Sequence, residues 1–324
     1  MTSTPTTTST STPTPVWIDT DMGFDDLAAV LVVDQNPAWN VEGLSLVAGN
    51  APLPVVEDNA LRSAACFDWR FPVHAGCDKP LACPLVTAQY VLGDDAMASA
   101  GRQLPAAPVG SALASRDAVG ALARWLEAAA APATVLALGP LTNIATLLMA
   151  RPDLVPRIGR LVWMGGSAGP GNHTAAAEFN AAVDPESVQR VIDAGVCIEM
   201  VGLDACRQVR AYAADADALR ALGTERGEIL ADLLLGYVRI ASPDGSRPMA
   251  LYDPTAAAAL VCPEGMQWRE GHLAMELDGT LTRGMTVIEW RVPRKAAANA
   301  RNASVADEAM LRDVIFGALA RAAR

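Results

Sequence analysis

Positive charge is scarce in this chain. Lysine is nearly missing, with Lys79 and Lys295 among the very few, and no stretch gathers lysine and arginine into a cluster. Lys and Arg together number 25 against 36 Asp and Glu, giving a formal net charge of -11 and a pI of about 4.8. A non-specific grip on nucleic acid or anionic lipid needs basic clusters, so neither is an expected partner. No apolar run approaches the roughly 18 residues of a membrane span, so a soluble, cytoplasmic protein is expected. The six cysteines (Cys66, Cys77, Cys83, Cys197, Cys206 and Cys262) contain no CxxC pair. In a chain this long they predict reduced thiols rather than a disulfide framework. The three histidines, His74, His173 and His272, lie far apart, which argues against a His-rich zinc site. Residues 1–15, "MTSTPTTTSTSTPTP", have neither a basic n-region nor an apolar h-region. They do not read as a secretory signal, and their Ser/Thr/Pro composition predicts a disordered tail.

What is abundant is apolar surface. Hydrophobic residues make up 51% of the 324, with a mean hydropathy of +0.21, ample for a large core. Strand-like runs are "PVWI" (15–18), "VEGLSLV" (41–47), "FPVHA" (71–75), "ATVLAL" (133–138), "GRLVWM" (159–164) and "VCIEMV" (196–201). Amphipathic stretches such as "DNALRSAACF", "AVGALARWLEAAA", "LTNIATLLMA" and "PESVQRVIDAG" alternate with them. This alternation predicts an α/β fold, a mostly parallel, open, twisted sheet with helices on both faces. No repeat or linker divides the chain, so 16–324 is expected to be one domain, and the Gly/Pro/Ala-rich segment 77–117 a long excursion or lid. In such a fold ligands sit beyond the carboxyl ends of the strands. The residues at those ends are mostly acidic, amide or glycine, which suits a hydroxyl-rich ligand and a cation better than a phosphate.

The stretch "WIDTDMGFDDLA" holds Asp19, Asp21, Asp25 and Asp26. Asp19 and Asp21 are two apart on extended chain and face the same way. Gly23 is expected to permit a tight turn. Asp25 and Asp26 then open a helix, where the positive end of the dipole tolerates carboxylates. Capping and a solvated loop account for one or two aspartates, not four. Two carboxylates about 4 Å apart repel by about 1 kcal/mol in water and about 4 kcal/mol at an effective dielectric of about 20. No Lys or Arg lies nearby in sequence to offset this. A hard divalent cation does so, and oxygen-only ligands favour Ca²⁺ or Mg²⁺, with Ca²⁺ the better match for bidentate carboxylates and carbonyls. A haloacid-dehalogenase-type phosphatase also has a strand followed by Asp-x-Asp, but it needs a downstream Lys that neither Lys79 nor Lys295 supplies.

"DTDMGFDDLAAV" resembles the Asp-x-Asp-x-Gly-x-Asp-Asp signature of the calcium-dependent, inosine–uridine-preferring nucleoside hydrolases. The same family is resembled, in order, by "VAGN" (47–50), "LALGPLTNIATLL" (136–148), "VWMGGSAGPGNHTAAAEFNAAVDPESVQRVIDAG" (162–195), "LYDPTAAAALVCPE" (251–264) and "TRGMTVIEWR" (282–291). The resemblance implies hydrolysis of the N-glycosidic bond of a ribonucleoside to free base and ribose, in purine or pyrimidine salvage. It implies that Asp21, Asp26 and Asp253, with the backbone carbonyl of Leu138, ligate Ca²⁺. Asp21 would also take a proton from the attacking water, with Asp19 supporting it. Asp25 and Asn180 would grip the ribose 2′- and 3′-hydroxyls with Asn50 nearby, and Asn172 and Glu178 the 5′-hydroxyl. Met164 would lie under the sugar. A homodimer or homotetramer is the implied assembly.

Local readings compete with these roles. Asn50, Asn172 and Asn180 also read as turn residues, Glu178 as a solvated helix start, and Met164 and Phe179 as core. Asp253 before Pro254 reads as a helix N-cap. Cys206 and Arg207 are candidates to line the pocket, and the His173 side chain is as readily placed in solvent. The chain departs from its best-known relatives at Tyr252, where they carry a His proposed to protonate the leaving base. A tyrosine hydroxyl, with an ordinary pKa near 10 against about 6.5 for His, is the weaker acid unless tuned. Hydrolysis of another N-riboside, such as nicotinamide riboside or a modified nucleoside, and a non-catalytic ribose-binding role are the alternatives.

Overall fold

A computed structural model describes residues 12–324. Its strands are β1 (Thr14–Thr20), β2 (Trp39–Leu46), β3 (Val73–Ala75), β4 (Ala133–Ala137), β5 (Ile158–Met164), β6 (Ile198–Val201), β7 (Arg210–Ala211), β8 (Met249–Ala250), β9 (Met266–Met275), β10 (Thr286–Glu289) and β11 (Ala300–Ala306). Its helices are α1 (Phe24–Asp34), α2 (Leu53–Cys66), α3 (Gln89–Leu92), α4 (Ala118–Ala128), α5 (Thr142–Ala150), α6 (Phe179–Val183), α7 (Pro185–Asp193), α8 (Leu203–Cys206), α9 (Ala213–Arg220), α10 (Glu225–Ala241), α11 (Asp253–Val261) and α12 (Glu308–Ala322). Nine strands form one sheet in the order β10-β9-β11-β6-β5-β4-β1-β2-β3, and β7 and β8 form a separate ribbon. From β3 to β6 and on to β11 every pairing is parallel; β9 and β10 add an antiparallel edge.

All six strands expected from the sequence are present, in a mostly parallel sheet with helices on both faces. β9, β10 and β11 were not expected. Gln267, Arg269 and Glu270 on β9 and Arg301 and Asn302 on β11 break the apolar runs by which buried parallel strands announce themselves. The strand period shows on β1, where Val16 and Ile18 join the core under α1, α10, α11 and α12 while Trp17 joins the core under α4, α5 and α7. α1 is apolar all round from Leu27 to Val33 and is buried on every side. It packs against α11, whose run Ala256–Ala259 is fully buried and lets the two helices approach closely. No helix among the described residues is long and apolar enough to cross a membrane.

Two local expectations change. The tail was expected to reach residue 15, but Thr14 and Pro15 already pair with Trp39 and Asn40; the rest of that expectation, up to residue 11, lies outside the described residues. The turn after β1 does not depend on Gly23, whose φ of -85° suits any residue. The left-handed residue is Met22, at φ 38° and fully buried. This is a strained conformation for a side-chain-bearing residue, costing about 1–3 kcal/mol. A Cβ at Gly23 would lie 3.0 Å from Asn50 Nδ2 and 3.3 Å from the Ala96 carbonyl oxygen, a tight fit.

The strand order reverses between β1 and β4, so the crevice at their carboxyl ends is the expected ligand site. The excursion 77–117 carries α3 as its one helix among the described residues. Buried Asp184 pins its start, accepting from Leu81 N at 3.0 Å, Thr142 Oγ1 at 2.7 Å and Ser187 N at 3.2 Å. Removing that carboxylate strands these donors. Asp184→Ala is therefore expected to lower unfolding stability by roughly 2–3 kcal/mol, read by urea denaturation, with Asp184→Asn losing less.

Candidate active site

Beyond β1 and β4 the structure brings the sequence-selected residues to one bowl. Asp25, Asn50, Leu138, Met164, Asn172, Glu178, Phe179, Asn180, Tyr252 and Asp253 all line it. Its cavity volume is about 180 Å³. Asp19, Asp21 and Asp26 lie beneath it, fully or almost fully buried.

The floor is acidic, and its order comes from the turn after β1. Asp26 accepts from Thr20 Oγ1 at 2.5 Å, Gly23 N at 2.7 Å, Asn50 Nδ2 at 3.0 Å and Asp21 N at 3.2 Å. Asp21 Oδ2 accepts from the Asn50 amide at 2.6 Å, while its Oδ1 is buried with no hydrogen-bond partner. Asp19 Oδ1 accepts from Asn143 Nδ2 at 2.7 Å and from the Ser45 hydroxyl, and its Oδ2 is likewise unpartnered. Asn50 is thus the brace between two aspartates rather than a simple turn residue. Asp253 is the first residue of α11 and Tyr252 holds the cap position, so Asp253 does not cap that helix.

Asp25, Asp26 and Asp253 each present an oxygen, and these lie within 4.8 Å of one another. Asp25, which the resemblance gave to the sugar, therefore sits with two of the implied metal ligands. No Lys or Arg lines the bowl among the described residues. Burial pushes Asp19 and Asp25 up to about 7, with the neighbouring charge of Asp26 adding to it. Burial and then the charge of Asp26 push Asp21 well above the ordinary carboxylate range; Asp253 is pushed up by burial and then Asp25. Unpaired carboxylates at this depth take up protons or a cation. The donor set is all hard oxygen, with an orphaned Asp21 Oδ1 beside it, and so fits a hard divalent ion. The Leu138 carbonyl accepts from Asn180 Nδ2 at 2.7 Å and keeps a second lone pair.

The wall is built on α6. Glu178 caps it, accepting from Asn180 N at 2.9 Å, Ala181 N at 3.1 Å and Gly166 N at 2.8 Å, and burial still raises it to about 7. It is buried rather than solvated. Asn180 Nδ2 also donates to the Met164 carbonyl at 3.1 Å, so its Oδ1 is the atom left for a ligand. Asn172 Oδ1 accepts from Phe179 N at 2.9 Å, leaving its Nδ2. Burial pushes the Tyr252 hydroxyl up to about 12, which makes it a weaker acid rather than a tuned one. Cys206 is fully buried against the Val201 carbonyl, and Arg207 binds the Pro170 and Gly171 carbonyls; neither lines the bowl.

Sequence reasoning missed Tyr237, Met249 and the rim from Ala88 to Leu92. Tyr237 lies 3.3 Å from Asp25 Oδ2 and donates to the Ala250 carbonyl at 2.8 Å. The signal available was one tyrosine in the aliphatic run "LLLGYV". His173, which was as readily placed in solvent, lines the bowl, whereas His74 stacks on Trp17 and His272 binds the Ala297 carbonyl.

A profile of the inosine-uridine preferring nucleoside hydrolase family matches residues 16–313. A pyrimidine-specific ribonucleoside hydrolase, RihA, from Salmonella schwarzengrund is 35% identical over 277 residues, 84% of this chain and 88% of that one. Among solved structures, a purine-preferring ribonucleoside hydrolase from Gardnerella vaginalis superposes with a TM-score of 0.86 at 22% identity, covering 95% of this chain and 99% of that one. A plant nucleoside hydrolase gives 0.83 at 26% identity, covering 95% and 99%. The chain belongs to the inosine-uridine preferring nucleoside hydrolase family.

The floor makes two predictions. A Cβ at Gly49 would lie 2.2 Å from Asp21 Oδ2 and 2.9 Å from Pro140 Cδ. Gly49→Ala should displace Asp21 and lower kcat/KM at least about tenfold with little change in circular dichroism. Asp19 and Asp25 keep protons to about pH 7 when folded, against 3.8 ordinarily. Between those values the folded chain binds more protons than the unfolded one, so without a bound cation stability falls as pH rises. The Tm of chelator-stripped protein should drop from pH 5 to pH 8, and a divalent cation should raise it more at pH 8. A Tm that climbs over that span would contradict the burial of these carboxyls.

Proposed function

We propose that this nucleoside hydrolase holds Ca²⁺ on Asp21, Asp26, Asp253 and the Leu138 carbonyl, with Asp25 beside them, and hydrolyses ribonucleosides to free base and ribose. The observation that carries the reading is the orphaned, buried Oδ1 of Asp21 next to a cluster of oxygens with no basic residue to neutralise it. When bound, the cation supplies the charge that neutralises the cluster and lowers the pKa of a water in the site. Asp21 then takes that water's proton, and Asp19 sets its orientation from behind. Asn180 Oδ1 and the Asn50 side chain meet the ribose 2′- and 3′-hydroxyls, and Asn172 and Glu178 the 5′ end. Met164 forms the apolar support under the sugar. The acidic floor stabilises positive charge developing on an oxocarbenium-like ribosyl group. Identity to a relative named as pyrimidine-specific favours uridine and cytidine over purine nucleosides as substrates.

The test is ribose release from uridine, cytidine, inosine, adenosine, guanosine and nicotinamide riboside, with and without a calcium chelator. Release should be fastest from the pyrimidine nucleosides and stop with chelator. Asp21→Ala should lose about 10²–10⁴ in kcat. Turnover that survives both chelation and the substitution would remove Asp21 and the cation from the reaction.

A further inference from the structure

A departing nucleobase leaves with the electron pair of the broken N-glycosidic bond and needs a proton. The groups lining the bowl narrow the source. A tyrosine hydroxyl such as that of Tyr252 is ordinarily a far weaker acid than an imidazolium, and the Tyr237 hydroxyl is engaged with the Ala250 carbonyl and Asp25. Glu178 has both oxygens held by backbone amides of the α6 cap. The carboxyls of Asp25 and Asp253 belong to the floor, on the sugar side. His173 is the one side chain lining the bowl, among the described residues, that can carry a positive charge.

His173 is also held as an acid must be. It sits in the loop before α6, half-buried, with its ring edge-on to Phe179 at 5.5 Å. Its Nδ1 lies 3.3 Å from the hydroxyl of Tyr90 on α3. Among the described residues Nε2 makes no hydrogen bond, so it is the nitrogen free to meet a ligand. We propose that His173, positioned by Tyr90 and Phe179, is the acid that protonates the departing base, in place of the residue that Tyr252 replaces. Burial alone lowers its pKa from the ordinary 6.5, making the imidazolium a stronger acid than any tyrosine in the bowl. The inference rests on the ribonucleoside-hydrolase reading above. In the step, the bond from C1′ to the base nitrogen breaks and its electron pair goes to the base. The proton on Nε2 of His173 passes to the base, and the imidazole is left neutral. Water adds to C1′ and gives its proton to Asp21; exchange with solvent then restores both groups. Nucleoside and water become base and ribose, with no other reactant.

The experiment compares two leaving groups. A pyrimidine nucleoside needs a proton on its base, whereas 4-nitrophenyl β-riboside releases an anion stable without one. His173→Gln should lower kcat for uridine by about 10²–10⁴, but for the nitrophenyl riboside by no more than about threefold. Tyr90→Phe should show the same split at smaller size, because it acts through the ring. Equal losses on both substrates would make His173 a structural residue and overturn the assignment, as would full retention of uridine cleavage. If the wild type cleaves neither riboside, the ribonucleoside-hydrolase reading itself falls. If it cleaves both and the variant does not discriminate between them, only the role of His173 falls.

Discussion

Mutual repulsion among buried carboxylates is what the surrounding structure is arranged to contain. Asp19, Asp21, Asp25, Asp26 and Asp253 meet at one end of the sheet, all at most 8% exposed. At an effective dielectric of about 20, each unrelieved contact near 4 Å costs about 4 kcal/mol. The chain offsets part of this with its own donors: four groups on Asp26, the Asn50 amide on Asp21, and Ser45 and Asn143 on Asp19. The N-termini of α1 and α11 add their dipoles under Asp25, Asp26 and Asp253. What these cannot neutralise, above all Asp21 Oδ1, is the charge left for an ion.

The same constraint explains the backbone around the floor. Met22 is held left-handed because Thr20, Gly23 and Asn59 fix the chain on either side of it: Met22 N donates to Thr20 Oγ1 at 3.1 Å, and its carbonyl accepts from Asn59 Nδ2 at 2.9 Å. Glycine at 49 and 139 lets two neighbouring loops close on Asp21. Local strain at the turn is thus tied to the placement of the Asp21 carboxylate.

Much of this was legible in the sequence, because the signals were local. The aspartate run after β1, the amides and glycines at strand ends, and the alternation of apolar runs all lie within a few residues of one another. What was hidden depended on distance along the chain. Tyr237 reaches Asp25 across 212 positions, and Tyr90 reaches His173 across 83. Tyr90 carries no local mark, and Tyr237 only that of a lone tyrosine in an aliphatic run. The sequence offered Asn50 for the sugar or for a turn but not as a brace, because its two aspartate partners lie 29 and 24 residues away. The strands at the antiparallel edge escaped notice because exposed and half-buried polar residues interrupt their apolar runs, and Gly23 was credited with a conformation that its neighbour Met22 adopts.

Helix α1 is enclosed on every side, and the floor of the bowl is its first turn. The rim comes from elsewhere: α3, its flanking loop and the segment before α6, with Tyr90 69% and Val91 45% exposed. Amides of the floor are therefore expected to exchange with solvent more slowly than those of the rim. The two parts also tolerate change unequally. A substitution in the floor disturbs the core, while one in the rim is absorbed near the surface. A lineage carrying this architecture can remodel the mouth of its bowl with little cost to the packing beneath it.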